Sequence, residues 1–238
     1  MKTSTVKPLA FIAAACLSLA AVSQSSGALT HEYSLDGTFA DSLGGPSLLP
    51  NGGVLNPTDY SFDPNQGLTL SNALTNPAEY SILLDFSFSI LNGYRRILDF
   101  KNRASDTGLY NLATAVNFYN VASGGAVFAP DTPARLVITR DAATGLVTAY
   151  VNGLTQISFI DGSNLAVFDA GNAIMHFFID DLAAPNEASA GRVSEIAIYD
   201  TALPAADVAV LGGPIVPEPG SGLLCLSGLA TCLGARRR

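Results

Sequence analysis

Residues 136–160 read LVITRDAATGLVTAYVNGLTQISFI, and this stretch decides the fold class. It contains three short runs rich in β-branched and aromatic residues, separated by residues 141–145 and by Asn152-Gly153. Asn-Gly between two such runs is a strong hairpin signal, because both central positions of the tight turn need positive φ. The stretch therefore predicts a meander of three antiparallel strands.

The rest of the chain between its two ends follows the same pattern. Residues 80–90 alternate apolar and polar side chains, as in a strand with one buried face, and Leu83 is the residue that departs from the alternation. A short helix is predicted over residues 204–211, with Pro204 at its first turn and Gly212-Gly213 beyond its end. Further strands are predicted at residues 97–100, 109–119, 173–179 and 193–199. The sum is an all-β chain, an antiparallel two-sheet sandwich.

Charge and cysteine content exclude two classes of site. Residues 29–216 carry seven of the twelve Lys and Arg and nineteen of the twenty Asp and Glu, a net charge of −12. An acidic domain repels phosphate backbones, so we expect no nucleic-acid partner. Cys16, Cys225 and Cys232 lie near the two ends of the chain. The middle therefore has no thiol for catalysis or for metal binding.

The N-terminus has the order of a secretory leader. A basic start precedes a long apolar run, and Ser26 and Ala28 are small residues at the positions that a signal peptidase reads. We predict a signal peptide over residues 1–28. An uncleaved anchor and a lipoprotein site at Cys16 are the alternatives, and the second is weak because no branched apolar residue lies three positions before the cysteine.

The C-terminus contains three elements in order within about twenty residues of the chain end. They are Val216-Pro217-Glu218-Pro219, the uncharged residues 220–235, and Arg236-Arg237-Arg238. Sixteen helical residues rise about 24 Å, which is short of the roughly 30 Å hydrocarbon core. Arginines at the end favour a cytoplasmic terminus. The segment is a marginal membrane anchor, and a permanent tail anchor is the alternative to a transient one.

This order resembles the PEP-CTERM sorting signal. The resemblance implies a linker with the motif over residues 214–219, and a short transmembrane helix with its basic end over residues 220–238. It also implies a partner, an exosortase, which is a membrane protease that removes the tail during export. The protein is then expected to cross the inner membrane, to be anchored transiently, and to reach the cell surface or the extracellular matrix.

Three segments of residues 29–213 resemble the laminin-G-like and concanavalin A-like jelly rolls, a superfamily that includes the pentraxins. They are HEYSLDG from residue 31 followed by Asp41, the TRD and YVNG motifs within residues 137–153, and GRV through IYD within residues 191–203. The resemblance implies a jelly-roll sandwich over most of the mature chain. A fold of this kind does not determine a function.

The pentraxin resemblance also implies a candidate calcium site. Asp180 and Asp181 follow a predicted strand, Glu187 lies shortly before Gly191, and Asp106 lies in an earlier loop. Calcium takes several hard oxygen ligands, which these side chains offer. Thr107 departs from the pattern, because pentraxins carry a second ligand at that place. The alternative is that these acids are solvated or turn-forming.

Glycan-binding surfaces on β folds often offer an aromatic platform beside amides and carboxylates. The chain has no Trp, so tyrosine would have to form the platform, with Tyr119 assigned to the core by its strand pattern. Arg95 and Arg96, placed in a turn, are expected to be solvated or salt-bridged, with binding of an anionic polysaccharide as the alternative. The tyrosines considered are Tyr60, Tyr94, Tyr110 and Tyr119.

Motifs for hydrolysis are missing. Retaining glycosidases need two carboxyl groups about 5 to 5.5 Å apart, and no Glu-x-Asp-x-x-Glu arrangement occurs in the chain. His31 and His176 are far apart and have no nucleophile motif beside them, so they are expected to be structural. We therefore predict that the protein is not an enzyme.

The sequence leads to three functional hypotheses. The first is an exported surface or matrix protein whose sandwich binds carbohydrate, such as extracellular polysaccharide, or another surface ligand. The second is a purely structural biofilm protein without a discrete ligand. The third, disfavoured by the missing motifs, is a divergent polysaccharide hydrolase.

Overall fold

The computed structural model describes residues 27–169 and 171–214. These residues form two antiparallel β-sheets around a shared hydrophobic core, with one short helix, as the sequence predicted for the all-β class. The whole predicted sorting tail and nearly all of the predicted signal peptide lie outside the described residues. Within the described part, no helix is long and apolar enough to cross a membrane.

The strands are short, and many connections between them are tight turns. In chain order they are β1 (Leu29–Tyr33), β2 (Leu49–Pro50), β3 (Val54–Leu55), β4 (Tyr60–Phe62), β5 (Leu68–Leu70), β6 (Tyr80–Phe88), β7 (Tyr94–Asp99), β8 (Gly108–Leu112), β9 (Ala115–Phe118), β10 (Ala122–Ala126), β11 (Ala134–Arg140), β12 (Leu146–Val151), β13 (Leu154–Ile160), β14 (Met175–Phe177) and β15 (Gly191–Tyr199), and the helix is α1 (Ala205–Leu211).

Strand order brings distant parts of the chain together. Sheet A has the order β13-β12-β11-β6-β15-β4-β3, with β1 also paired to β15. Sheet B has the order β10-β9-β8-β7-β14-β5-β2. In sheet B, β14 pairs with β7 although about 75 residues separate them, as His176 opposite Asp99 shows. This pairing places the loop after β14 beside the loop after β7.

The predicted meander is confirmed as β11, β12 and β13. Its second turn is Asn152-Gly153, with φ of 50° and 79°, as a tight hairpin of this type requires. The predicted helix over residues 204–211 is also confirmed, as α1 with Pro204 just before its first residue.

Two predicted strands are wrong in extent because a residue has left-handed backbone. Residues 109–119 form a hairpin of β8 and β9 instead of one strand, and Ala113, with φ of 60°, lies in its turn. The strand predicted over residues 173–179 is only β14, since Phe178 has φ of 60° and turns the chain. Neither residue is a glycine, so composition did not mark these turns.

Part of the outer face of sheet A is covered by α1. The prediction that β6 has one buried face is therefore wrong, because all of its residues are buried. Leu83, which broke the alternation, belongs to a second hydrophobic cluster beneath Val208 of the helix. The other members of that cluster are Val137, Tyr150, Ala197 and Leu203.

The motif around residue 31 forms the bend after β1. His31 bonds the Asp41 carboxylate through Nδ1 at 2.6 Å and the Ala73 carbonyl through Nε2 at 2.9 Å. Burial alone would raise the pKa of Asp41, but donors from the backbone of Glu32 and Leu43 and from His31 outweigh it and lower the pKa. These contacts agree with the structural role predicted for His31.

Candidate functional site

The candidate site lies on the outer face of sheet B. Arg96 on β7 is opposite Tyr110 on β8, which is opposite Asn117 on β9. Their neighbours Leu109 and Phe118 lie in the core, so the alternation of a strand turns Tyr110 and Asn117 to the other face. Two loops lie over this row, residues 100–107 after β7 and residues 178–190 after β14.

Three of the four acids predicted as calcium ligands converge here. Oxygen atoms of Asp106, Asp181 and Glu187 all lie within 4.8 Å of one another. Asp180 serves another purpose, because its two oxygens accept the backbone N–H of Asp181 at 3.0 Å and of Glu187 at 2.6 Å. Asp180 thus shapes the loop that carries the other two acids.

The prediction that Arg95 and Arg96 lie in a turn is wrong, because both belong to β7. The side chain of Arg96 is fully buried among the acids. Nη2 bonds Asp181 and lies 3.7 Å from Asp106, and the guanidinium carbon lies 4.2 Å from the ring centroid of Tyr110. The sequence signals for this residue were its positive charge and its place directly before the predicted strand of residues 97–100.

Glu187 is left with an unused oxygen. Its Oε2 is buried and has no hydrogen-bond partner among the described residues. Burial raises the pKa of Glu187, and the nearby charges of Asp106 and Asp180 raise it further. A buried acceptor without a donor is costly, so Glu187 is held in its place by the surrounding fold and not by a hydrogen bond at this atom.

Three tyrosines form a cluster beside the acids. The rings of Tyr94 and Tyr110 lie 5.5 Å apart and edge to face, and Tyr119 lies 5.5 Å from Tyr94. The assignment of Tyr119 to the core is wrong, because it is only half-buried and its pKa is raised chiefly by a hydrogen bond to Asp106. Tyr60 is fully buried in the core and is not available as a platform.

His176 lies on the same face, one strand further along sheet B. Its Nδ1 lies 3.0 Å from Thr69 Oγ1 and its Nε2 lies 3.0 Å from Asn102 Oδ1. Burial, and secondarily the charge of Arg103, lowers the pKa of His176 to about 4. The ring is therefore neutral at neutral pH, and its contacts agree with the structural role predicted for His176.

A cleft of about 250 Å³ lies next to His176. It is lined by Asn102, Asp169, Gly171, Asn172 and Ile174.

The acids as placed do not fit a calcium ion. Calcium takes six to eight oxygen ligands, but Asp181 already accepts N–H groups from Ala183 at 2.6 Å and Ala184 at 2.7 Å through one oxygen. Its other oxygen accepts from Arg96. The guanidinium also lies close to Asp106, at the place where a cation shared by these carboxylates would lie. The calcium site therefore stays a prediction that this geometry does not favour.

No family model matches the chain, and no curated protein matches it. Solved structures do. Domain 4 of AbnA, a GH43 extracellular arabinanase from Geobacillus stearothermophilus, in complex with arabinotriose, is 17% identical with a TM-score of 0.58, covering 79% of this chain and 100% of that one. A Trypanosoma rangeli sialidase in complex with 2,3-difluorosialic acid is 13% identical with a TM-score of 0.60, covering 77% of this chain and 32% of that one.

A third similar structure is that of botulinum neurotoxin type C, described with the finding that its cell entry depends on interaction with two ganglioside molecules. It is 16% identical with a TM-score of 0.56, covering 78% of this chain and 50% of that one. The chain thus spans about a third of the sialidase and half of the neurotoxin chain. At these identities the likeness shows the fold alone.

The prediction that the protein is not an enzyme is wrong as it was made. Several structures to which the chain is similar come from glycoside hydrolases, an arabinanase and sialidases, so this fold does not support the exclusion of an enzyme. That prediction rested on the lack of suitably spaced acids along the chain. The fold instead brings together Asp106, Asp181 and Glu187 from two separate loops.

Proposed function

We propose that the protein binds glycans through the outer face of sheet B, at the partly exposed rings of Tyr94 and Tyr119, which pack against the buried Tyr110, and at the acids beside them. The observation that carries the proposal is the pair of partly exposed rings, Tyr94 and Tyr119, 5.5 Å apart beside the carboxylate of Asp106. The apolar face of a sugar ring packs against an aromatic side chain, and its hydroxyls donate hydrogen bonds to carboxylates. Sites of this kind combine aromatic surface with a few well-placed polar groups.

The charge of the site favours an uncharged glycan. Asp99, Asp106, Asp181 and Glu187 outnumber Arg96 within the cluster, and the domain as a whole is strongly acidic. A carboxylated sugar such as sialic acid would meet repulsion from the same acids that would accept hydroxyls. We expect binding of neutral oligosaccharides in preference to sialylated or uronic-acid ones.

The solved structures of this fold lend support of a general kind. Domain 4 of AbnA was solved with arabinotriose, an uncharged sugar, and this chain matches the whole of that domain. The neurotoxin is described as interacting with gangliosides. Glycan recognition is therefore a use to which this fold has been put in other proteins, and this chain offers a surface chemically suited to it.

The first test measures glycan binding by the purified protein and its Tyr119→Ala variant. On an array of neutral and sialylated glycans, we expect selective binding to neutral ones. We expect Tyr119→Ala to weaken it at least tenfold, about 1.4 kcal/mol, since a half-buried aromatic anchor is lost. The matched control is Leu154→Ala, whose side chain is 70% exposed on β13 of sheet A. Its affinity should not change.

Three results would count against the proposal. They are a preference for sialylated glycans, affinity that survives Tyr119→Ala, and the absence of binding to any glycan, which would favour the purely structural matrix protein. Incubating a bound oligosaccharide and analysing the products also tests hydrolysis. An oxygen of Asp106 and an oxygen of Glu187 lie within 4.8 Å of each other, close to the spacing of the two carboxyl groups in a retaining glycosidase. Release of free sugar in this experiment would show that the protein is a glycosidase.

We further propose that the sandwich is a jelly roll of the laminin-G-like type, carried by a PEP-CTERM protein. The YVNG motif of the resemblance coincides with the end of β12 and its turn into β13, and TRD with the end of β11. The helix α1 lies on the outer face of sheet A, opposite the candidate site.

A second test concerns the proposed sorting tail. Changing Glu218 to alanine is expected to trap uncut protein in the membrane fraction, because the exosortase would no longer read the motif. Mass spectrometry of surface protein from the native host should show a chain lacking residues 220–238. Changing Arg236–Arg238 should instead disturb the orientation of the tail. A mature surface protein that still ends at Arg238 would mean an ordinary tail anchor.

A further inference from the structure

Arg96 has an unusual position for a charged side chain. It is fully buried, and it is surrounded by Asp99 at 3.5 Å, Asp106 at 3.7 Å and Asp181 in direct contact. Its Nη1 also donates to the Thr107 carbonyl at 2.9 Å. A buried arginine is tolerated only when it is well paired, and here three carboxylates share one cation.

The same carboxylates bind the backbone of both loops. Asp99 accepts the N–H of Lys101 at 3.0 Å and of Arg103 at 2.8 Å, while Asp181 accepts those of Ala183 and Ala184. Arg96 therefore connects the loop of residues 100–107 to the loop of residues 178–190. Coordinating ions often connect acidic loops in this way, with oxygen ligands drawn from separate segments.

The neighbouring strand leaves room for the guanidinium. Gly108 begins β8 directly beside Arg96, and a Cβ at that position would collide with Arg96 Nη1. Gly108 has no positive φ, so its need for glycine comes from this close approach. The space next to the acids is thus shaped for an arginine.

We infer that Arg96 is a built-in cation that takes the structural place of a bound metal ion, so that the two loops and the site are organised without calcium. The planar guanidinium carries five N–H donors and can serve several carboxylates at once. The inference is independent of the glycan proposal, because it concerns how the acids are neutralised and not what they bind.

The test compares thermal unfolding of the full chain in millimolar CaCl₂ and in EDTA. We expect the unmodified protein to melt at the same temperature in both, and calorimetric titration with CaCl₂ alone to show no binding tighter than millimolar. Arg96→Met keeps most of the side-chain volume and removes the charge. It should melt about 10 °C lower in EDTA, because the buried Asp99 and Asp181 and the partly buried Asp106 lose their counter-ion. Calcium should restore several degrees.

Two further variants make the result specific. Arg96→Lys keeps a positive charge and should melt clearly above Arg96→Met in EDTA. Arg95→Met is the matched control, since the side chain of Arg95 bonds no carboxylate among the described residues, but the carbonyls of Asn186 and Ala188 and the amide oxygen of Asn92. This variant should gain no response to calcium. The inference is overturned if calcium stabilises the unmodified protein. It is also overturned if Arg96→Lys and Arg96→Met are equally unstable, because the charge would then be irrelevant.

Discussion

Replacing Phe178 with alanine is expected to lower the free energy of unfolding by about 3–5 kcal/mol, which is typical of a buried phenylalanine. Its ring is 1% exposed and stacks on Phe62 at a centroid distance of 4.8 Å. It also packs against Phe86 at 5.3 Å and Phe88 at 5.7 Å. The truncation would leave a cavity between the two sheets, and the surrounding rings cannot close it fully.

The same change should loosen the candidate site. Phe178 has left-handed backbone and begins the turn that carries Asp180 and Asp181 over sheet B. Alanine does not relieve the backbone cost, because it also has a Cβ. Urea unfolding would measure the stability. Hydrogen exchange at residues 180–187 would report on the loop. We expect exchange there to be faster in Phe178→Ala than in the unmodified protein, with a larger increase than in the meander.

A matched control for Phe178 is Phe128→Ala. Phe128 is only partly buried at the edge of the same core, 5.7 Å from Phe86, so its loss should cost less and leave the loop unaffected. Equal costs for the two variants, or an unchanged exchange rate in the loop of Phe178→Ala, would show that Phe178 does not anchor the acids.

Replacing Arg135 with methionine is expected to destabilise the protein by about 3–5 kcal/mol. Arg135 and Asp85 are both at least 95% buried on the outer face of sheet A and form a bidentate pair at 2.7 and 2.6 Å. Arg135 also bonds Glu195 at 2.8 Å and the Leu211 carbonyl at the end of α1 at 2.8 Å. Its removal leaves a buried carboxylate without a counter-ion and a helix end without a donor.

A double variant separates the charge from the packing. Arg135→Met combined with Asp85→Leu should be more stable than Arg135→Met alone, because the stranded buried charge is removed. A double-mutant cycle from urea unfolding measures the coupling between the two residues. Additive costs would show that the pair contributes no interaction of its own. Arg192 provides an exposed comparison, since it pairs with Asp59 and its own side chain is 63% exposed. Arg192→Met should lower the free energy of unfolding by less than about 1 kcal/mol.

The predictions from sequence succeeded where the signals are local. The meander of β11 to β13 and the helix α1 were predicted from alternation and turn residues, which depend on neighbours a few positions away. They failed at Ala113 and Phe178, because both are non-glycine residues with left-handed backbone, a conformation that residue type does not signal. The very short strands β2 and β3 were missed, since two residues carry no periodic signal.

The sequence by itself determined the all-β class, the acidic character of the domain and the acids worth testing, because composition and a period of two are readable along a single chain. Only the tertiary structure decided which of those acids meet and that Arg96 lies among them. Arg96 and Asp181 are 85 positions apart, and they are brought together by the pairing of β14 with β7. That pairing depends on the order of strands in sheet B, and sheet order depends on contacts between distant segments that no local pattern records.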